Sequence, residues 1–148
     1  MNELLENTDA FYRSLFVHRP RDGKLRFGPV WDFDISMSDP PEVAPAERLV
    51  QGPWAAILAR DEAFLVLAAA RWRGLRASVW GDAPVLEFFD QTWARIAASA
   101  SRTDARWDLG ALVTGVTTRT TAEEVAVLRA WLVTRLAFLD RTFAAATD

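Results

Sequence analysis

The chain has 148 residues, 51% of them hydrophobic and 25% charged, with a formal net charge of −3 and a mean hydropathy of +0.01. That is enough chain for one domain with a real core, its mild acidity gives no footing for nucleic-acid binding, and no apolar run approaches the roughly 18 residues needed to span a bilayer. The absence of cysteine excludes disulfides and thiolate metal sites, and the start, Met1-Asn2-Glu3-Leu4-Leu5-Glu6, has neither the basic opening nor the apolar stretch of a signal peptide.

Taken in order, residues 2–7 read as the last turns of a helix with Leu4 and Leu5 facing in. A helix that starts at the first residue with no cap is expected to have its beginning missing. Residues 8–14 read as a loop or tight turn. Residues 15–19, Leu-Phe-Val-His-Arg, are rich in strand formers; Pro20-Arg21-Asp22-Gly23 is a turn; and residues 25–27 return as the second strand of a hairpin. Gly28 and Pro29 end the pairing, because proline has no N–H to give to a ladder. Residues 35–45, with Ser, Asp and three prolines, read as an irregular loop.

The remainder is helical. Pro53 opens a short helix expected to bury Trp54, Ile57 and Leu58. Asp61 caps the next, whose stripe is Phe64 or Leu65, Ala68, Trp72, Leu75 and Val79, with Gly81 as its end. Asp82 and Pro84 open a third, carrying Val85, Phe89, Trp93 and Ile96 at helical spacing. Residues 102–115 read as a connector. The last helix starts at Thr121, in a capping box with Glu124, and its stripe is Val125, Leu128, Leu132, Leu136 and Leu139, widened by Trp131 and Phe138. No repeat is visible. The expected fold is α+β and mostly α: a single domain over residues 1–148, with a catalytic loop and hairpin in residues 1–45 packed on a helical part in residues 46–148.

The chemistry gathers around Gly28-Pro29-Val30-Trp31-Asp32-Phe33-Asp34. Extended backbone would point both carboxylates one way and both rings the other. Alone, these residues read as a surface turn with a solvated acid pair, and the upstream sequence alters that reading. Asp9 lies just before the first strand and Asp32 just after the second. Strands of about six residues run roughly 20 Å out and back, so the hairpin returns Asp32 to the end where Asp9 sits. Phosphotransferases use such a pair, one acid orienting the substrate hydroxyl and the other holding Mg²⁺ against the phosphates. Magnesium needs only one or two protein carboxylates. Protein kinases also place a metal-binding Asn five residues after the catalytic Asp; here that position is Ser14, whose hydroxyl either ligates the metal or simply begins the strand.

Asn2-Glu3-Leu4-Leu5, Asn7-Thr8-Asp9-Ala10-Phe11, the turn over residues 19–23 and above all Gly-Pro-Val-Trp-Asp-Phe-Asp resemble the CotH (spore coat protein H) kinase family. The similarity continues through Arg71-Trp72-Arg73-Gly74-Leu75-Arg76 and over residues 123–140 of the last helix. The resemblance implies an atypical protein-kinase-like fold, with this chain corresponding to its C-lobe, and transfer of the ATP γ-phosphate to protein side chains with Mg²⁺. It implies Asp9 as the catalytic acid, Asp32 as the metal ligand, Asp34 as a second ligand, and a protein as the substrate.

The departures are as informative. Lys24, the only lysine, lies at the hairpin turn, where it cannot grip the nucleotide phosphates, and no glycine-rich loop precedes Asp9. The chain is therefore expected to be the C-terminal portion of a kinase-like domain whose nucleotide-gripping part lies upstream of Met1 or is absent. Exposed apolar residues would then pair with that lobe or drive self-association, and residues 1–45 would be the least stable part. The competing reading is a non-catalytic helical interaction module or pseudokinase that keeps the family core. A two-carboxylate metal hydrolase would need a further base that the sequence does not show. Trp54, Trp72, Trp93 and Trp131 read as core, His18 as a surface strand residue, and Arg71, Arg73 and Arg76 as a solvated face.

Overall fold

The computed structural model describes residues 1–7, 10, 13–33, 36–37, 55–107 and 119–145. Among these, β1 (Val17–His18) and β2 (Arg26–Phe27) pair antiparallel, with Val17 opposite Phe27 and His18 opposite Arg26. The Gly28 amide still reaches the Phe16 carbonyl at 3.0 Å, so the ladder runs one residue beyond the assigned strands before Pro29 closes it. The turn between them closes from the Gly23 amide to the Pro20 carbonyl at 3.1 Å, braced by Arg19 Nε donating to the Gly23 carbonyl at 2.9 Å. The expected hairpin is present. All four paired residues are exposed, so it is not packed on the helices along its strands as expected.

Four helices follow among the described residues: α1 (Ala55–Leu58), α2 (Glu62–Arg76), α3 (Asp82–Arg106) and α4 (Thr121–Ala145). Asp61 caps α2 as its sequence predicts, Oδ1 accepting from the Ala63 and Phe64 amides at 2.9 and 3.4 Å. Helix α2 stops at Arg76, five residues before Gly81, because Ala77–Trp80 turn away to let Trp80 fold back beside Trp72. Val79 consequently faces water instead of extending the stripe. Ile57, Leu58 and Ile96, expected inside, are also exposed; Trp54 lies outside the described residues.

Helix α4 is the axis of the core. Its Trp131, Leu132, Leu136, Leu139 and Phe143 are buried with Ala69 and Trp72 of α2 and with Leu4 near the N-terminus. Helix α3 lays Val85, Leu86 and Phe89 against this cluster but buries no residue completely. The capping box forms one residue earlier than predicted. The Thr120 amide and hydroxyl both donate to Glu123 Oε2, at 2.7 and 3.0 Å, and the Glu123 amide returns a 3.3 Å bond to Thr120 Oγ1. Thr121 is thereby left to bond elsewhere. Its amide and hydroxyl both donate to the Asp104 carboxylate, fastening the start of α4 to the last turn of α3.

A second joint forms where three elements converge. The Arg76 guanidinium meets Asp140 through two parallel bonds, Nε to Oδ1 at 2.9 Å and Nη2 to Oδ2 at 2.8 Å, while also reaching Asp82 Oδ1 at 2.7 Å and the Trp80 carbonyl at 2.6 Å. Trp72 Nε1 donates to Asp140 Oδ1 at 2.8 Å. Arg71 and Arg73 are solvated as expected, whereas Arg76 is drawn in to knot α2, α3 and α4. No helix among the described residues is long and apolar enough to cross a membrane.

Candidate active site

The site begins in the N-terminal turn. The Leu5 amide bonds the Met1 carbonyl at 3.0 Å, the Glu6 amide bonds Glu3 at 3.4 Å, and the Asn7 amide reaches back to Asn2 at 3.0 Å. With Glu6 at φ 51°, this crossed pair is the closing motif of a helix. The residues expected to be the last turns of a helix thus form a turn with the closing bonds of one, and no helix is assigned over them. That turn is pinned from below by Arg135, fully buried in α4, whose Nη2 donates to the Glu3 carbonyl at 2.6 Å and to Glu3 Oε1 at 2.8 Å. Its guanidinium also lies 5.2 Å from the Phe138 ring centroid.

The turn delivers Asn7, itself buried, toward the chain that leaves the hairpin. Asn7 Nδ2 makes a long 3.5 Å contact with the Asp32 carbonyl, and the Asn7 carbonyl accepts from the buried Ala10 amide at 3.1 Å. Ser14, buried just ahead of β1, donates its hydroxyl proton to Asp32 Oδ2 at 3.2 Å. The Met37 amide bonds the Leu5 carbonyl at 2.9 Å, so the chain after Asp32 returns to the turn where the site began.

Asp32 stands at φ 56°, a left-handed conformation that Asp and Asn tolerate better than most residues. The segment is therefore not extended through Asp32, so the condition on which the sequence would put both rings on one face and both acids on the other is not met there. Trp31 instead packs edge-on against Phe16 across the hairpin mouth, with ring centroids 5.8 Å apart. The Asp32 carboxylate is exposed, held by Ser14 through one oxygen.

The structure thus joins two of the four predicted site residues, Asp32 and Ser14. Asp9 and Asp34 lie outside the described residues. Among the described residues no group of three or more His, Cys, Asp or Glu comes together as a metal cluster. His18 is exposed on β1, as expected. Sequence reasoning assigned no role to Asn7 or Arg135, the two buried polar side chains that place the turn. Arg135 did carry a signal: it lies three residues after Leu132 and four before Leu139, on the apolar stripe itself.

The sequence model of the family described as CotH kinase protein matches residues 1–139. This chain belongs to the CotH kinase family. No curated protein and no solved structure matches it. The CotH match takes in the N-terminal turn, the hairpin, Asp32 and the core of α4 up to Leu139, so the elements that build the site all lie within it. Membership makes the chain kinase-like at the level of the family.

Proposed function

We propose that this CotH chain carries the catalytic and metal-holding acids of a phosphotransferase that moves the γ-phosphate of ATP to a protein hydroxyl. The observation that carries the reading is the Ser14–Asp32 pair at the mouth of the hairpin, within the family match. Their oxygens stand 3.2 Å apart, close to the edge of about 3.0 Å of an octahedron with bonds of about 2.1 Å, the geometry that Mg²⁺ demands. Asp32 and Ser14 would hold the ion by that edge, with Asp34 as a second carboxylate. A bound Mg²⁺ supplies positive charge against the phosphate oxygens.

The chain's own residues do the rest in this reading. Asp9 accepts a hydrogen bond from the substrate hydroxyl, aims the oxygen and takes its proton. Ser14 keeps the Asp32 carboxylate in one orientation, so no rearrangement is needed when charge develops. Arg135, through Glu3 and Asn7, fixes the turn on which that geometry rests. The helical part stands in for the larger lobe of a protein kinase.

The test uses Asn rather than Ala at position 32, because Asn keeps the left-handed backbone and an oxygen for Ser14 while removing the charge. In the full-length protein, Asp32→Asn should lower phosphate transfer by about 10²–10³-fold, and Asp9→Asn should do the same. On the chain alone, Mn²⁺ in place of Mg²⁺ should broaden amide resonances around Ser14 and Asp32 in the wild type and not in Asp32→Asn. Transfer retained in Asp32→Asn would mean that another residue holds the metal. An intact fold with no transfer in the wild type would make the chain a non-catalytic member of its family.

A further inference from the structure

The hairpin carries a charge that the rest of the chain does not. Arg19, Arg21, Lys24 and Arg26 crowd into it against a single acid, Asp22, in a protein whose net charge is −3. All four basic residues are exposed, and among the described residues none makes an ion pair. Some arginines elsewhere pair, Arg129 with Asp90 at 2.7 Å and Arg119 with Glu124 at 3.6 Å, and others such as Arg71 and Arg73 are solvated singly; the hairpin differs in crowding its unpaired charges together. The basic cluster shares its ribbon with exposed apolar residues, Leu25 at 62% and Phe16 at 49% accessibility, while Trp31 at the mouth is 56% accessible.

We infer that the hairpin is a docking strip for an acidic, extended segment of the protein substrate. This inference rests on the kinase reading for its substrate, and on the hairpin alone for its binding. Three observations select this occupant. The uncompensated basic charge is complementary to carboxylates. The ladder has two strands among the described residues, and strand edges take up an extended chain through main-chain hydrogen bonds, with alternate side chains meeting apolar neighbours. By strand alternation Val17, Leu25 and Phe27 share one face of the ribbon with Arg19, and Phe16 shares the other with His18, Lys24 and Arg26, so an extended segment of alternating apolar and acidic residues would find matching side chains on each face.

The placement has a consequence for the reaction. The hairpin runs from its turn to the Ser14–Asp32 pair, a distance of roughly 15–20 Å at about 3.3 Å per residue. An extended segment anchored at the turn reaches the site after about six residues, so the acidic anchor and the accepting hydroxyl lie about that far apart in the substrate.

The test is binding of a fluorescent peptide of about twelve residues alternating Glu and Val, long enough to run the hairpin, followed by anisotropy on this chain. The wild type should bind it, and binding should weaken steeply as salt rises. The triple variant Arg21→Glu, Lys24→Glu, Arg26→Glu should lose at least about tenfold in affinity; it spares Arg19, which braces the turn, and all three sites are exposed, so the fold is kept. A matching Lys-Val peptide should prefer the variant. Equal affinity of wild type and variant for the Glu-Val peptide would overturn the inference. So would binding of duplex DNA or phosphatidylserine vesicles through the same three residues with no binding of the peptide. Asp32→Asn should bind the peptide as the wild type does, so loss of transfer and loss of docking are read separately.

Discussion

A buried guanidinium at a helix centre is costly unless its charge is met, and Arg135 shows how this chain meets it. Two of its bonds end on Glu3, one at the carbonyl and one at the carboxylate, and a ring lies beneath the plane. Replacing it by Met would keep the bulk but take the guanidinium away from the Glu3 groups, and breaking a buried pair in this way costs about 3–5 kcal/mol. Arg129→Met, which breaks the exposed pair with Asp90, should cost at most about 1 kcal/mol. Urea unfolding of the two variants checks the contrast. The apolar stripe of α4 was legible in the sequence because its spacing is regular. Arg135 sits on the same stripe, and its role was not legible, because its partner lies 132 positions away. Asp61 was readable for the opposite reason: its capping bonds reach only two and three residues along the chain.

At the scale of elements, the ends of the helices show where local pattern stops deciding. The capping box formed at Thr120 and Glu123, although Thr121 and Glu124 offer the same spacing, because Asp104 of α3 claims Thr121. Helix α2 ended early because Arg76 bonds the Trp80 carbonyl and Asp82 together with Asp140. These contacts have a pH signature. Burial acts to raise the Asp140 carboxyl, but the bonds from Arg76 and Trp72 and the Arg76 charge outweigh it and hold the group below its ordinary value. A carboxylate depressed in the folded state contributes stability that is present above its unfolded pKa and lost as pH falls through the folded one. Asp90, held down by Arg129, and Glu123, held down by Thr120, act in the same direction. Urea midpoints should therefore fall as pH drops below about 4, and Asp140→Asn, less stable at neutral pH, should show a shallower fall.

Across the whole molecule, protection should be uneven. The core gathers around α4 and takes in Leu4, while the hairpin contributes none of its paired residues to it. Opening a segment costs what its contacts are worth, so amides of residues 16–28 should exchange well before those of residues 131–139. Hydrogen exchange followed residue by residue tests this, and hairpin amides as protected as those of α4 would contradict it. The helical framework, the hairpin and the carboxylate at its mouth could be read from periodicity, turn chemistry and family motifs. The bends, the knot at Arg76 and the pinning of the N-terminal turn depend on pairs distant in sequence, which no local pattern encodes.

The joint between Asp104 and Thr121 has a consequence of another kind. It fastens two long helices through side chains seventeen positions apart, so the covalent link between them is not what holds them together at that point. The two helices are therefore clasped at that end by their own side chains.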